Sequence, residues 1–345
     1  MPENDAWWGK GFTEWTSVAR ARPLFAGHYQ PHVPADLGFY DLRVPETRLA
    51  QAELARAHGI EGFCYWHYWF NGRRLLERPF NEVLQSGDPD FPFCLAWANE
   101  TWSRRWLGEE RDILLAQTYS PEDDTRHSEW LVQAFADPRY IRVHGRPLFL
   151  IYRPTDLPDA HRTTEVLRET CQRHGLPNPY LLATNAHCSE LDCRSLGFDA
   201  TLAFKPELGV LSQYRSDGWR RSKLKRNLQF GVMSPTLKIY DYAAAQRAMM
   251  ALTRPHPMLP CVMVSWDNTP RRGRNAIVIT HSDPAVFQSV LREAIQGVQA
   301  YPPEERLVFL NAWNEWAEGN HLEPDLRHGN QFLKAVQCAN RLPSD

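Results

Sequence analysis

At 345 residues the chain has room for one large α/β barrel, which needs about 250 residues before insertions, or for two domains of ordinary size. Its 43% hydrophobic and 23% charged residues are those of a globular protein, and a formal net charge of -2 gives no reason to expect nucleic acid or an anionic membrane surface as partner. Seven cysteines, an odd number, do not suggest a disulfide framework, no apolar run approaches the roughly 18 residues that cross a bilayer, and the N-terminus lacks a basic-then-apolar leader pattern; the expectation is a soluble, cytoplasmic protein with no stable membrane insertion.

In chain order, Asp5 to Trp15 (DAWWGKGFTEW) reads as a loop at the mouth of a barrel, and no strand is predicted before residue 45. Pro45 to His58 is the first amphipathic helix, with Pro at its first turn and Gly59 as its stop. Strands are predicted at Ile60–Trp66, Phe91–Trp97, Leu148–Tyr152, Tyr180–Asn185, Ala200–Phe204, Cys261–Trp266 and Leu307–Trp313. They are continuous rather than alternating apolar runs, as parallel strands buried on both faces require. Cys64, Cys94 and Cys261 fall inside them and read as small buried hydrophobes, whereas Cys188 and Cys193 are spaced too widely for a redox pair or zinc knuckle. Asp88-Pro89-Asp90, formally a DxD, precedes a strand and reads as a turn at the bottom of the sheet. Residues 207–242 break the β-then-α rhythm with Arg215, Arg220, Arg221, Lys223, Lys225 and Arg226 around Trp219. They are an insertion, either a solvated basic face or a lid for an anionic group. Helices at Asp283–Val298, capped by Asp283 with Phe287, Val290, Leu291, Ala294 and Ile295 on one face, and at Gly329–Leu342 close the chain. Repeated β-then-α units make residues 1–345 one (β/α)8 barrel of the TIM type that lacks its first strand, leaving a gap in the ring; an open sheet or a strand hidden in a predicted loop is the alternative.

Active sites of such barrels lie at the C-terminal ends of the strands. Those ends carry His67 and Tyr68; Asn99, Glu100 and Trp102 after Trp97; Tyr152; Asn185; Lys205 and Glu207; Trp266, Asp267 and Asn268; and Trp313, Asn314, Glu315 and Glu318, with His321 beyond. Sugar hydroxyls both give and take hydrogen bonds and so suit mixed donors and acceptors. Aromatic rings, abundant here with 13 Trp, 12 Tyr and 16 Phe, offer flat faces to sugar C–H groups. In Trp313-Asn314-Glu315-Trp316-Ala317-Glu318-Gly319-Asn320 two carboxylates stand three apart after the last strand, among tryptophans. Glycosidic-bond chemistry needs one carboxyl to protonate a leaving oxygen and a second to handle charge or a proton on the sugar; the plainer reading is a turn with two solvated glutamates. No dinucleotide fingerprint, Walker A sequence, GxSxG elbow or HExxH is present, so no cofactor and no metal are expected.

The stretches PENDAWWGKGFTEW, PLFAGHYQPHVPADLGFYDLR, GIEGFCYWHYWFNGRRLLERP, DFPFCLAWANETWSRRW, RPLFLIYRP and NAWNEWAEGNHLEPD, which bring in Trp8 and Trp15, resemble the WbsX-like proteins found with bacterial surface-polysaccharide genes and related to glycoside hydrolase family ninety-nine. Members carry a tyrosine-rich strand with a PQFHP-like end before PEND, which is absent here. The resemblance implies a (β/α)8 barrel and the ExxE as catalytic pair, with Glu315 acting on the sugar 2-hydroxyl to give a 1,2-anhydro intermediate and Glu318 as acid/base. It implies a glycan or a glycan-linked donor and acceptor as partners. The expected function is an enzyme that cleaves or transfers a glycosidic bond in a surface glycan such as O-antigen. The alternatives are a glycosyltransferase of lipopolysaccharide biosynthesis using a nucleotide- or lipid-linked donor, and a truncated, non-catalytic glycan-binding barrel. Sugar, linkage and oligomeric state are not encoded in any motif.

Overall fold

The computed structural model describes residues 2–103, 112–186, 190, 192–213, 237–252, 254 and 256–341. The basic segment 215–226, most of the expected 207–242 insertion and Cys188 lie outside the described residues.

A strand overlaps each of the seven predicted runs: β1 (Phe63–Phe70), β2 (Phe93–Trp97), β3 (Arg146–Ile151), β4 (Tyr180–Thr184), β5 (Ala200–Ala203), β6 (Leu259–Met263) and β7 (Phe309–Asn311). They pair in parallel in the order of the sequence, β7-β6-β5-β4-β3-β2-β1, and Arg73–Leu75 folds back antiparallel on the outer edge of β1. The sheet curls strongly. In a flat sheet β1 and β5 would lie about 19 Å apart, four strand spacings, yet Trp66 of β1 meets Phe204 just beyond β5 with ring centroids 6.1 Å apart, and both meet Tyr152. The result is a TIM-like half-barrel of the α/β class. Among the described residues no ladder joins β7 to β1, so the ring stays open where an eighth parallel strand would close it. An aromatic contact spans the opening, Phe63 against Trp313 at 5.1 Å, backed by Ala52, Ala55 and Phe91.

Side chains alternate along β1 with period two. Tyr65, His67 and Trp69 face the surrounding helices, where they meet Phe80, His127 and Asp123, while Trp66 and Tyr68 face the concave interior. The outer layer is the main core. Trp97, Phe149, Leu131, Phe135 and Leu167 lie between the strands and the helices Pro121–Phe135 and Ala160–Arg173. Those helices start at Ser120 and Asp159, whose side chains accept from Asp123 N and Arg162 N, replacing hydrogen bonds that a helix start leaves unmade. Asp283 caps Pro284–Gly297 through Ala285 N as its sequence promises, and that helix packs its Phe287, Leu291 and Ala294 face near Gln331–Asn340.

Three expectations are corrected. Asp5 to Trp15 is not all loop: the short helices Pro2–Trp8 and Glu14–Arg20 take in its two ends, with a turn between them, and the second is started by reciprocal bonds between Thr13 and Thr16. The run Cys261–Trp266 is not one strand: β6 ends at Met263, and Trp266–Asp267 joins Ile277–Thr280 and Lys238–Asp241 in a separate three-stranded sheet. Cys64 is exposed, unlike Cys94 and Cys261, because it belongs to the strand that borders the opening.

Candidate active site

β7 leads into a tight hairpin in which Asn314–Glu315 pairs with Asn320–His321 around the single turn Trp316–Glu318. Gly319 makes that turn possible. Its φ is +56°, and a Cβ there would sit 2.9 Å from Asp267 Cβ and 3.0 Å from Asp267 O, closer than any side chain tolerates. Trp316 anchors the hairpin from below: it is buried, its ring stacks on His321 at 3.8 Å, and its Nε1 donates to Glu323 Oε2 at 2.6 Å. Tyr40 and Gln51 also donate to Glu323, at 2.8 and 2.6 Å. Burial nevertheless pushes the Glu323 carboxyl up to about 7.

With its core side anchored, the hairpin brings Glu315 and Glu318 to one guanidinium. Arg271, from the short helix Thr269–Arg272, donates to Glu315 Oε2 at 2.8 Å and pairs with Glu318 Oε1 at 2.7 Å. A third carboxylate, Glu14 from the N-terminal segment, meets the same guanidinium at 2.5 Å and accepts from Ala317 N at 3.1 Å. Side-chain exposure is 12% for Arg271, 25% for Glu315, 24% for Glu318 and 39% for Glu14, so the cluster is recessed but reachable. Three carboxylates share one cation in a partly dry pocket. Burial, opposed by Arg271 and reinforced by the charges of Glu315 and Glu14, pushes the Glu318 carboxyl up to about 7. Glu14 is raised for the same reasons, burial first. Tyr68, on the inner face of β1, is raised by burial and by the nearby Glu315 charge. The edge of Trp102 lies against Tyr68 at 4.9 Å and against Trp7 at 5.7 Å, extending the aromatic wall.

The structure sorts the other predicted site residues into two groups. Tyr68, Trp102, Tyr152, Glu100, Asn314 and Trp8 are partly exposed. Glu100 accepts from Arg153 Nε at 2.9 Å, and Asn314 Nδ2 donates to Tyr40 OH at 3.0 Å. The remaining candidates are mainly packed into the protein. His67 faces outward, bonded to His127 at 2.9 Å and stacked on Trp130. Trp97 is 1% exposed, with Nε1 donating to Trp69 O at 3.3 Å. Trp15 donates to Tyr40 O at 2.8 Å and packs on Trp316. Trp266 is buried, and Trp313 is half-buried against Phe63. Asp267 accepts from Gln30 Nε2 at 2.7 Å and pairs with His28 Nε2 at 2.6 Å. His321 lies under Trp316.

The asparagines have a common structural task. Asn99 Oδ1 accepts from Arg153 N, Asn185 Oδ1 from Phe204 N, Asn268 Oδ1 from Ile277 N and Asn320 Oδ1 from Ala312 N, at 2.8 to 3.1 Å. A buried sheet rim must give its backbone N–H groups acceptors, and these side chains supply them. Polar residues at strand ends are therefore partly a requirement of the sheet itself. Sequence reasoning missed Arg271 and Glu14 at the centre of the cluster, and the interior rings Trp66 and Phe204. Metal-capable donors converge elsewhere: among the described residues they are His32, His321 and Asp325, behind the hairpin.

Against this geometry the likeness to known proteins is informative. The family model described as "Glycosyltransferase WbsX" matches residues 1–336. The chain belongs to the WbsX family. Two curated relatives, each named "Uncharacterized protein WxcX" and each from a strain of Xanthomonas campestris pv. campestris, are 39% identical over 99% of this chain and 48% of their own length. The chain thus spans about half the length of the curated relatives it matches. Solved structures with the same fold include a glycoside hydrolase-like protein (TM-score 0.58, 14% identity, 91% of this chain and 90% of that one). Another is a GH99 endo-alpha-mannosidase from Bacteroides thetaiotaomicron (TM-score 0.56, 14% identity, 90% of this chain and 82% of that one). This WbsX chain shares the α/β half-barrel with them, and among its described residues no helix is long and apolar enough to cross a membrane.

Proposed function

We propose that the chain cleaves or transfers a glycosidic bond in a bacterial surface polysaccharide such as O-antigen, with Glu315 and Glu318 as its catalytic pair. The observation that carries this reading is the shared Arg271. It holds two carboxylates of one hairpin together at the C-terminal end of the last strand, while Glu318 is pushed up to about 7. A carboxyl near neutrality can still carry the proton that a leaving oxygen needs. Glu315, bonded to the same guanidinium at 2.8 Å, is assigned the complementary role of taking a proton from the sugar.

In the step this assigns, the sugar 2-hydroxyl gives its proton to Glu315 as O2 closes on C1. The C1–O bond breaks, and Glu318 protonates the departing oxygen. Water or an acceptor hydroxyl then opens the intermediate, losing its proton to Glu318, and O2 recovers its own from Glu315. Tyr68, Trp102, Tyr152 and Trp66 form the wall against which the sugar stacks. Which acceptor wins is decided by how far the site excludes water. The family's glycosyltransferase description favours transfer from a nucleotide- or lipid-linked donor, placed by this reading in cytoplasmic polysaccharide assembly. Acceptor-dependent release of nucleotide or of the lipid phosphate carrier, with the sugar recovered on the acceptor, in extracts fractionated by compartment, separates that outcome from hydrolysis.

The pair is tested with glycosides differing in leaving group. Glu318→Gln and Glu315→Gln should each lose about 10²–10⁴-fold in rate on an unactivated substrate. An aryl glycoside with a good leaving group should partly restore Glu318→Gln alone. The wild-type rate should fall as pH rises through about 7, since the acid must be protonated, and the restored Glu318→Gln rate should lack that limb. Equal restoration of both variants would mean that the roles are misassigned.

A further inference from the structure

We propose that His32, His321 and Asp325 form a divalent-metal site of the zinc class behind the catalytic hairpin. This inference does not depend on the glycosidic reading, and its test does not use turnover. One ligand atom from each residue lies within 4.8 Å of the others. His32 Nδ1 is 3.0 Å from His321 Nε2, which is 3.8 Å from Asp325 Oδ2. Donors around a tetrahedral ion with bonds of about 2.0–2.1 Å stand roughly 3.3 Å apart, so modest side-chain rotation suffices to surround one ion. Two imidazole nitrogens and one carboxylate oxygen suit zinc.

The surroundings orient each donor as a metal site requires. His321 Nδ1 lies 3.0 Å from the Glu323 carbonyl. A ring N–H donated there leaves a lone pair on Nε2, the nitrogen that faces the other two groups. This is the outer bond that metal-ligating histidines make. Asp325 Oδ1 accepts from Arg327 N at 3.0 Å and His328 N at 2.6 Å, turning Oδ2 toward His321. The ring of His321 is further clamped by Trp316. The loop bearing His32 is docked on the Asp325 segment by backbone bonds, Ala35 N to Pro324 O and Leu326 N to Val33 O, both 2.9 Å. His321 and Asp325 are buried, so the site is pre-built rather than gathered at a surface. Arg327, whose positive charge is felt by His32, lies over the Tyr29 ring at 4.8 Å, and the charges of Asp267 and Asp325 oppose it there. The alternative is a His–His hydrogen bond that never takes a metal. No spacing motif announces the site, since 289 residues separate its two histidines.

The test uses the purified chain, stripped with EDTA and titrated with zinc alone by calorimetry, with cobalt as a spectroscopic substitute. Expected are one zinc per chain, a rise in Tm on loading, and visible cobalt bands of a four- or five-coordinate nitrogen and oxygen site. His32→Gln and Asp325→Asn should each raise the zinc Kd by about 100-fold or more and cancel the rise in Tm; Asp325→Asn keeps the Oδ1 acceptor and thus the loop. Replacing the exposed His281 with Ala should change nothing. Absence of stoichiometric zinc in the wild type, octahedral-only cobalt bands, or a zinc affinity in both variants equal to that of the wild type would overturn the proposal. Because the wild-type spectrum is decisive alone, a variant that fails to fold does not shelter the idea.

Discussion

Replacing Arg271 with methionine should make the protein's stability depend on pH in a specific way. The guanidinium sits 2.5 to 2.8 Å from three carboxylates, with charge centres about 4 Å apart. At an effective dielectric near 20 each attraction is worth about 4 kcal/mol gross, much of it offset by desolvation and mutual carboxylate repulsion. Removing one partner of such a cluster typically costs about 3–5 kcal/mol, toward the lower end here because Glu14 is 39% exposed. For a chain of 345 residues that is a Tm lower by roughly 4–7 °C. The sign against pH follows from linkage. Glu318 and Glu14 already hold protons above their ordinary range, and without Arg271 both rise further. A carboxyl whose folded value exceeds its unfolded value lets stability fall as pH rises from about 4.5 upward. The Tm gap between wild type and Arg271→Met should therefore be widest near pH 8 and less than half as large at pH 5, where the orphaned carboxylates can be protonated. Circular dichroism melts at half-unit pH steps measure it. A gap that is flat, or widest at pH 5, would refute the claim that Arg271 acts by neutralising these groups.

Gly319→Ala combines a left-handed backbone with a Cβ 2.9 Å from Asp267, so it should cost about 1–3 kcal/mol and reduce kcat by displacing Glu318; a variant with wild-type Tm and activity would show that the hairpin has slack. Trp97→Ala should lose about 3–5 kcal/mol with unchanged glycan affinity in whatever fraction stays folded. Trp66→Ala, on the inner face, should do the reverse, weakening glycan binding in calorimetry with a smaller drop in Tm.

The strands were legible because burial on both faces writes itself as uninterrupted apolar runs, and all seven lie where such runs occur. The site was legible only as far as its local chemistry reached. Glu315 and Glu318 stand out because spacing, strand and glycine coincide in eight residues. His67 and Tyr68 are neighbours in a strand and cannot both face the interior, a rule of alternation that decides between them once the strand's phase is known. Trp97 and Trp316 look like sugar platforms beside polar residues, yet both are packing anchors. Arg271 sits in a Thr-Pro-Arg-Arg turn that reads as a solvated basic step, and Glu14 in a segment that reads as loop. Their importance comes from partners 44 and 257 residues away along the chain, which no local pattern encodes.

That same separation bears on the order in which the molecule is built. The Glu315–Glu318 hairpin receives Glu14, Trp15 and Tyr40 from a segment far away in sequence, while neighbouring strands of the half-barrel pair in sequence order. Closing a loop of some 250–300 residues carries an entropy cost that local βα pairing does not. The curled sheet can assemble from β1 onward without the hairpin being in place, whereas the carboxylate cluster exists only once the Glu14 segment has met Arg271 and the hairpin. In refolding, the intrinsic fluorescence of core residues such as Trp97 should mature before activity appears, and the lag between them is the time the Glu14 segment takes to reach the hairpin.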